Sequence, residues 1–195
     1  MDTRPETMAP HGDHEPLILT LALDAAAQER LDALRRAHFP SGRNHLGAHL
    51  TLFHKLPGDE VDRISADVAE VAAAFRPVAM TAVRPIALGR GVAIALDAPG
   101  LHTVRAELQR RWEPWLTPQD RQRHRPHVTV QNKVAPAEAK ALHAELSATL
   151  APFPVTGTGL ALWRYLGGPW ESVETYPFNE TPTYRDPNFP GGTIL

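Results

Sequence analysis

Residues 49–53 read His-Leu-Thr-Leu-Phe, and residues 127–131 read His-Val-Thr-Val-Gln. Such alternation is typical of a β-strand, on which residues i and i+2 point to the same face. The histidine and the threonine of each stretch therefore share one face, while the aliphatic residues point to the other. We expect the aliphatic face to pack under helices and the polar face to line a cleft.

The sequence around the two stretches repeats itself, which indicates an internal duplication. Residues 21–24 (Leu-Ala-Leu-Asp) resemble residues 94–97 (Ile-Ala-Leu-Asp), and each is followed by a helical pattern, a loop and a His-x-Thr stretch. Lys55 and Lys133 each follow the strand histidine at the same spacing. Two α/β halves related by a pseudo-twofold axis would place the motif strands opposite each other across a central groove.

Apolar periodicity and turn residues divide the chain into strands and helices. Asp24 is predicted as the N-cap of the first helix. Strands are predicted at 17–23, 48–54, 78–88, 91–96, 127–131, 155–166 and 170–175, and helices at 25–38, 60–75, 100–115 and 136–150.

One domain accounts for most of the 195 residues. We expect a single two-lobed domain over 16–178, with a first repeat at about 16–90 and a second at about 91–178. Residues 1–15 and 179–195 contain several prolines and little apolar periodicity, so they are predicted to be N-terminal and C-terminal tails.

Composition excludes several classes of function. The chain has no cysteine, which excludes disulfides, zinc–thiolate sites and thiol nucleophiles. Its formal net charge of -2 argues against a long duplex nucleic acid as partner, because phosphate neutralisation supplies most of that affinity. No apolar run reaches the roughly 18 residues that span a bilayer. We therefore expect a cytoplasmic protein that does not bind membranes, and a monomer, since the duplication already supplies both halves of a site.

Two histidines that face one cleft are suited to cleaving a phosphodiester. In-line displacement needs a base on the attacking side and an acid on the leaving side. An unperturbed imidazole has a pKa of about 6.5, so one ring can be neutral while the other is charged. Threonine hydroxyls can donate to non-bridging oxygens. His49 and His127 are therefore the candidate catalytic residues, and Thr51 and Thr129 the candidate phosphate ligands.

The chain resembles the 2H phosphoesterase superfamily, which includes LigT-type 2'-5' RNA ligases and cyclic nucleotide phosphodiesterases. The resemblance rests on residues 48–53, on residues 125–130 and on the Gly-Gly-Pro-Trp of residues 167–170. It implies an α+β fold with two pseudo-symmetric α/β lobes and antiparallel sheets around a central groove. It also implies His49 and His127 as acid and base, and a 2',3'-cyclic phosphate or a 2'-5' linkage as substrate, on a small nucleotide or an RNA end. The second motif departs from the LigT-type pattern in its continuation, residues 130–133.

Three cationic residues are further candidates for phosphate binding. Arg125 precedes the second motif by two positions and could donate to phosphate oxygens as a bidentate group. Lys55 and Lys133 share strand parity with the motif histidines, so either could reach the groove if its strand continues. The alternative for both lysines is a solvated strand end.

Three aromatic residues are candidates for stacking on a nucleobase. Phe53 shares the parity of His49 and Thr51, and Trp163 and Tyr165 alternate along a later strand. Packing in the core is the alternative for each. No spacing typical of a metal site accompanies the other histidines, so we expect neither a metal nor another cofactor.

Two other functions remain open from the sequence. A protein that binds a nucleotide or an RNA end without efficient catalysis would keep the same groove. A metal-dependent hydrolase would lose its activity on chelation. Ligation is the reverse of cleavage at the same site, so the same residues would serve both directions.

Overall fold

The computed structural model describes residues 15–181, which leaves both predicted tails almost entirely outside the described part. The elements within this range are β1 (Leu17–Leu23), α1 (Ala25–His38), β2 (Leu50–Leu56), α2 (Val61–Ala74), β3 (Val78–Ala87), β4 (Val92–Asp97), α3 (Leu101–Arg111), β5 (His127–Gln131), α4 (Pro136–Thr149), β6 (Phe153–Tyr165) and β7 (Trp170–Pro177). Every predicted element is present. The third helix ends at Arg111 rather than at 115, because Pro114 lacks the N–H that a continuing helix needs.

The strands form one antiparallel sheet in the order β2-β1-β6-β3-β4-β5, with β7 paired to β6. The first repeat contributes β1, β2 and β3, and the second contributes β4, β5 and β6. β1, β2 and β3 of the first repeat correspond to β4, β5 and β6 of the second. When each strand is replaced by its counterpart, the same order is read from the opposite end of the sheet, as a pseudo-twofold axis requires. The third strand of each repeat therefore pairs with the first strand of the other repeat: β3 pairs with β4, and β6 pairs with β1.

The predicted α+β fold with pseudo-symmetric halves is confirmed. The halves share one curled sheet because β6 is 13 residues long and pairs with β1 on one edge and with both β3 and β7 on the other. The curl brings the two outermost strands, β2 and β5, near each other.

The aliphatic residues of both motifs lie in the core. Leu50, Leu52, Val128 and Val130 have no exposed surface. Burying each such side chain contributes about 1.5–3 kcal/mol to stability. This burial fixes the register of β2 and β5, because a slip of one residue would turn the histidines inward and the aliphatic residues outward.

Asp24 joins the start of α1 to the sheet. One of its carboxylate oxygens accepts a hydrogen bond from the backbone N–H of Ala27 at 3.0 Å, which confirms the predicted N-cap. The other accepts from the backbone N–H of Thr156 on β6 at 2.6 Å. This bridge ties the first repeat to a strand of the second.

The helices among residues 15–181 do not combine the length and the apolarity needed to cross a bilayer.

A glycine beside the second motif strand gives a test of this packing. A Cβ at Gly91 would overlap the backbone oxygen of Gln131, at the end of β5. We expect Gly91→Ala to lower the free energy of unfolding by about 2 kcal/mol, because a rigid backbone has to shift. Urea denaturation measures the change.

Gly42→Ala is the matched control, since nothing lies within 4 Å of the added Cβ. Equal free energies of unfolding for the two variants would show that the backbone of β5 does not lie close enough to Gly91 to exclude a Cβ.

Candidate active site

The two motif histidines have the same local geometry. Nδ1 of His49 donates to the carbonyl oxygen of Gly47 at 2.9 Å, and Nδ1 of His127 donates to that of Arg125 at 2.8 Å. A carbonyl oxygen can only accept, so in both rings the Nδ1 position carries the hydrogen. Each neutral ring therefore presents an unprotonated Nε2, and each charged ring presents an Nε2–H.

The two motif histidines border two different cavities. His49 lines a cavity of about 280 Å³ together with Trp163 and Trp170. His127 lines another of about 370 Å³, together with Thr51 from the first motif. The sequence predicted that both histidines would line one cleft, but in the structure each lines a different cavity. The two cavities are named here the His49 cavity and the His127 cavity.

The environment of His49 favours its neutral form. Burial lowers the pKa of this imidazole, and the hydrogen bond to Gly47 offsets only part of that effect. Positive charge on Arg35, His127 and His54 lowers the pKa further. His127 therefore lies within electrostatic reach of His49, and His49 is prepared to accept a proton at neutral pH.

One face of α1 positions the backbone around His49. Gln28, Asp32 and Arg35 follow each other at helical spacing, so their side chains lie on one face. Gln28 Nε2 donates to the Ala48 carbonyl at 2.8 Å, and Asp32 Oδ1 accepts from the Ala48 N–H. Arg35 Nε donates to the Leu46 carbonyl at 3.0 Å. These bonds hold the chain on both sides of the carbonyl that orients His49.

Two buried arginines each connect a helix of one half to the motif strand of the other. Arg35 of α1 donates through Nη1 to the Thr129 carbonyl at 2.8 Å. Arg105 of α3 donates through Nε to the Leu52 carbonyl at 3.2 Å. They are 5% and 6% exposed, and burial lowers the pKa of both guanidinium groups although both remain charged.

The loop before β5 closes over β2. His124 Nε2 donates to the Thr51 carbonyl at 2.9 Å, and burial lowers the pKa of His124 to about 4. Asp120 accepts hydrogen bonds from the backbone N–H and from Nδ1 of His54, both at 3.0 Å. Burial raises the pKa of Asp120, but these bonds and one from Thr117 outweigh it, so the pKa is lowered overall.

The sequence of the chain matches a known protein family. A family model described as the 2'-5' RNA ligase superfamily matches residues 23–169. The chain belongs to this superfamily. The resemblance to LigT-like 2H phosphoesterases inferred from the two motifs is thereby confirmed.

Solved structures share the fold of this superfamily member. TT0787 of Thermus thermophilus has a TM-score of 0.63 and 18% identity, over 84% of this chain and 97% of that one. LigT of E. coli complexed with 3'-AMP has a TM-score of 0.52 and 17% identity, over 85% and 98%. The same protein complexed with NADP+ has a TM-score of 0.54 and 15% identity, over 85% and 98%. A search among curated proteins found no match.

The phosphate-binding candidates of this superfamily member lie in different places. Arg125 is exposed and lines the His127 cavity with Thr51. Thr129 is half-buried and borders neither cavity. Lys55 lines a third cavity beside Pro16, Trp115 and Thr117, so the structure does not bring it to the motif histidines. Lys133 follows the end of β5 in a turn with φ 61°, so the strand that would have carried it into the groove does not continue.

The prediction that Phe53 faces the groove is wrong. Phe53 pairs with Leu19 while Thr51 pairs with Thr20, so β2 contains an extra residue, a β-bulge that breaks the alternation. The ring is fully buried, with its centroid 5.1 Å from that of Trp112 and 4.8 Å from the Arg105 guanidinium carbon.

Two tryptophans flank His49. Trp163, a candidate for base stacking from sequence, lines the His49 cavity and donates from Nε1 to the Thr20 hydroxyl at 2.8 Å. Trp170, to which we assigned no role from sequence, has its ring centroid 4.8 Å from that of His49 and 6.2 Å from that of Trp163. Tyr165 is exposed and lies outside this cavity. The Gly-Gly turn between β6 and β7 was the signal for Trp170, because the hairpin returns it opposite Tyr165.

Sequence reasoning also missed Arg35 and Arg105. The available signal was helical spacing, since Arg35 follows the buried Leu31 by one turn and Arg105 follows the buried Leu101 in the same way. Within residues 15–181 no group of three or more histidine, aspartate or glutamate side chains is arranged to hold a metal ion.

The lowered pKa of His124 predicts an acid-dependent loss of stability. Below the unfolded-state pKa of about 6.5 the unfolded chain binds a proton that the native ring takes up only near pH 4, so stability falls as pH falls through this window. We expect urea unfolding to show that lowering the pH from 7.5 to 5 reduces the free energy of unfolding more for the wild type than for His124→Gln. NMR titration of the ring gives the pKa directly.

The lowered pKa of His49 also reduces stability at acid pH, but it does so equally in the wild type and in His124→Gln, so its effect cancels in the difference between them. A His124 ring that titrates near 6.5 would contradict the assignment.

Proposed function

We propose that this superfamily member is a phosphodiesterase that hydrolyses 2',3'-cyclic phosphates or 2'-5' linkages in nucleotides or at RNA ends. The matched pair of imidazoles, each held through Nδ1 by the carbonyl two residues earlier, carries the proposal. Two rings with free Nε2 positions on facing halves of a duplicated fold suit general acid–base catalysis, which needs no metal ion.

The lowered pKa of His49 favours it as the base. Its Nε2 takes a proton from water as the water oxygen bonds to phosphorus. On the opposite side the bond from phosphorus to the leaving ribose oxygen breaks, and His127 gives its Nε2 proton to that oxygen. His49 then releases its proton to solvent and His127 takes up a proton from solvent, which restores both rings.

The threonine hydroxyls donate to the non-bridging oxygens of the phosphate and stabilise the negative charge on them. Thr51 supports this role by its position at the His127 cavity. Thr129 shares the strand face of His127, so its hydroxyl is the matching donor from the other half. Ligation follows the reverse path, with the same two rings exchanging roles.

Replacement of either motif histidine tests the proposal. We expect His49→Ala and His127→Ala each to lower kcat about 10²–10⁴-fold on a hydrolysed substrate, because proton transfer to or from the reacting oxygens is lost. A panel of 2',3'-cyclic nucleotides and 2'-5'-linked dinucleotides, with 2'- and 3'-phosphate products resolved, measures the rates. The wild type should show a bell-shaped pH profile and full activity in EDTA.

His45→Ala is the matched control, since His45 is exposed and borders neither cavity. Retained activity in both motif variants would exclude the mechanism, and loss of wild-type activity in EDTA would indicate a metal-dependent hydrolase. Saturable nucleotide binding without product would indicate a binding protein.

We further propose that Trp163 and Trp170 bind the nucleobase. They line the His49 cavity, and aromatic stacking accepts any base. E. coli LigT has been solved in complex with 3'-AMP and with NADP+, and we propose that this chain also binds a nucleotide.

Trp170→Ala should raise KM about tenfold for a cyclic nucleotide, because stacking contributes about 1–3 kcal/mol per base. Trp170→Phe should restore most of the affinity. Steady-state kinetics with adenosine 2',3'-cyclic phosphate, and with ribose 2,3-cyclic phosphate as the substrate without a base, measures the effect.

Tyr165→Ala is the control, because Tyr165 faces Trp170 across the hairpin but lies outside the cavity. An equal rise in KM for the substrate without a base would mean that Trp170 acts through His49 rather than on the base.

A further inference from the structure

The two cavities differ in charge. Among the described residues, the His49 cavity is lined by aromatic, aliphatic and neutral polar side chains, and His49 is its single titratable member. The His127 cavity is lined by three arginines and three histidines: Arg105, Arg123, Arg125, His54, His124 and His127. Its one carboxylate, Asp120, has no exposed side-chain surface. A substrate in the His127 cavity therefore meets positive charge that no exposed acid offsets.

Two of the three arginines are available to a ligand. Arg105 donates to the carbonyls of Leu52 and Asp120 and to the side chain of Gln109, so its nitrogens already serve protein groups. Arg123 and Arg125 are exposed, and within residues 15–181 their guanidinium groups make no hydrogen bond or ion pair. Such unpaired guanidiniums are suited to bidentate contact with phosphate.

His54 adds an anchored ring to the same wall. Its ring is anchored by the bond from Nδ1 to the buried Asp120, and 43% of the side chain remains exposed at the cavity. The wall thus combines an anchored imidazole with two adaptable arginines. A single scissile phosphate held between His49 and His127 would not use all of these groups.

We infer that Arg123 and Arg125, at the His127 cavity, bind a second phosphate, one nucleoside away from the scissile phosphorus that His127 and Thr51 serve. This inference rests on the proposed function and narrows its substrate class to nucleotides or oligonucleotide ends that carry a further phosphate, rather than nucleoside cyclic monophosphates. The cavity of about 370 Å³ is within the size range of ligand sites. Arg125, a candidate phosphate ligand from sequence, serves this second group together with Arg123.

The test compares substrates that differ by one terminal phosphate. Adenosine 2',3'-cyclic phosphate is assayed with and without a 5'-phosphate, and 2'-5'-linked ApA with and without a 3'-phosphate. In the wild type we expect the phosphate to raise kcat/KM at least tenfold in one pair, mainly through KM. In the double variant Arg123→Gln/Arg125→Gln this ratio should fall toward one.

Arg121→Gln is the matched control. It removes one positive charge from the same loop, but Arg121 is bonded to Glu113 and does not line the cavity. Its ratio should equal that of the wild type. A ratio that falls in this control as well as in the double variant would indicate a long-range effect of net charge and would overturn the inference.

The outcomes separate this inference from the proposed function. Cleavage of both members of each pair at equal kcat/KM would leave the function standing and overturn the second-phosphate site. If no substrate is turned over, the proposed function fails, and dissociation constants from tryptophan fluorescence give the same ratio. A tenfold preference that the double variant abolishes would still support the site, and equal binding would overturn it.

Discussion

The hydrogen bonds from Arg35 and Arg105 to strand carbonyls are the contacts on which the arrangement of the site depends. β2 and β5 are the outermost strands of the sheet, so one edge of each lacks a backbone partner. An exposed edge invites pairing with another strand, and a buried carbonyl without a donor is costly. Guanidinium groups from the opposite half satisfy the Thr129 and Leu52 carbonyls instead. Side chains rather than backbone hydrogen bonds therefore bridge the two motif strands.

Burial of these two charges requires compensation, because taking an ion out of water costs several kcal/mol. Each arginine has an aspartate that favours its charged form, Asp32 for Arg35 and Asp120 for Arg105. The same aspartates hold the motifs: Asp32 binds the N–H of Ala48 beside His49, and Asp120 binds His54. Asp32 therefore both favours the charge of Arg35 and holds the backbone beside the candidate catalytic His49, and Asp120 both favours the charge of Arg105 and anchors His54. Loss of one of them should disturb the fold and the site together.

Alternation and duplication were sufficient to predict much of this structure. The i, i+2 spacing placed the aliphatic residues in the core, and the repeat predicted the pseudo-symmetric halves. The bulge in β2 was not visible in the sequence, because it depends on how the strand pairs with β1, and it turns Phe53 into the core. Arg35 and Arg105 were missed since a charged residue in a helix is ordinarily solvated. Trp170 lies beside His49 because β6 and β7 pair as a hairpin; the Gly-Gly turn indicates the hairpin but not that its ring lies next to His49.

Duplication explains why the two histidines match, and the loops explain why they differ. Both rings are held by the carbonyl two residues earlier, so the repeated backbone sets their orientation and tautomer. Trp170 and the neutral segment before β2 surround His49 and lower its pKa by burial, whereas the segment before β5 supplies Arg123 and Arg125 beside His127. The sheet thus gives the two rings equivalent positions, and the unlike loops give each ring a different electrostatic environment.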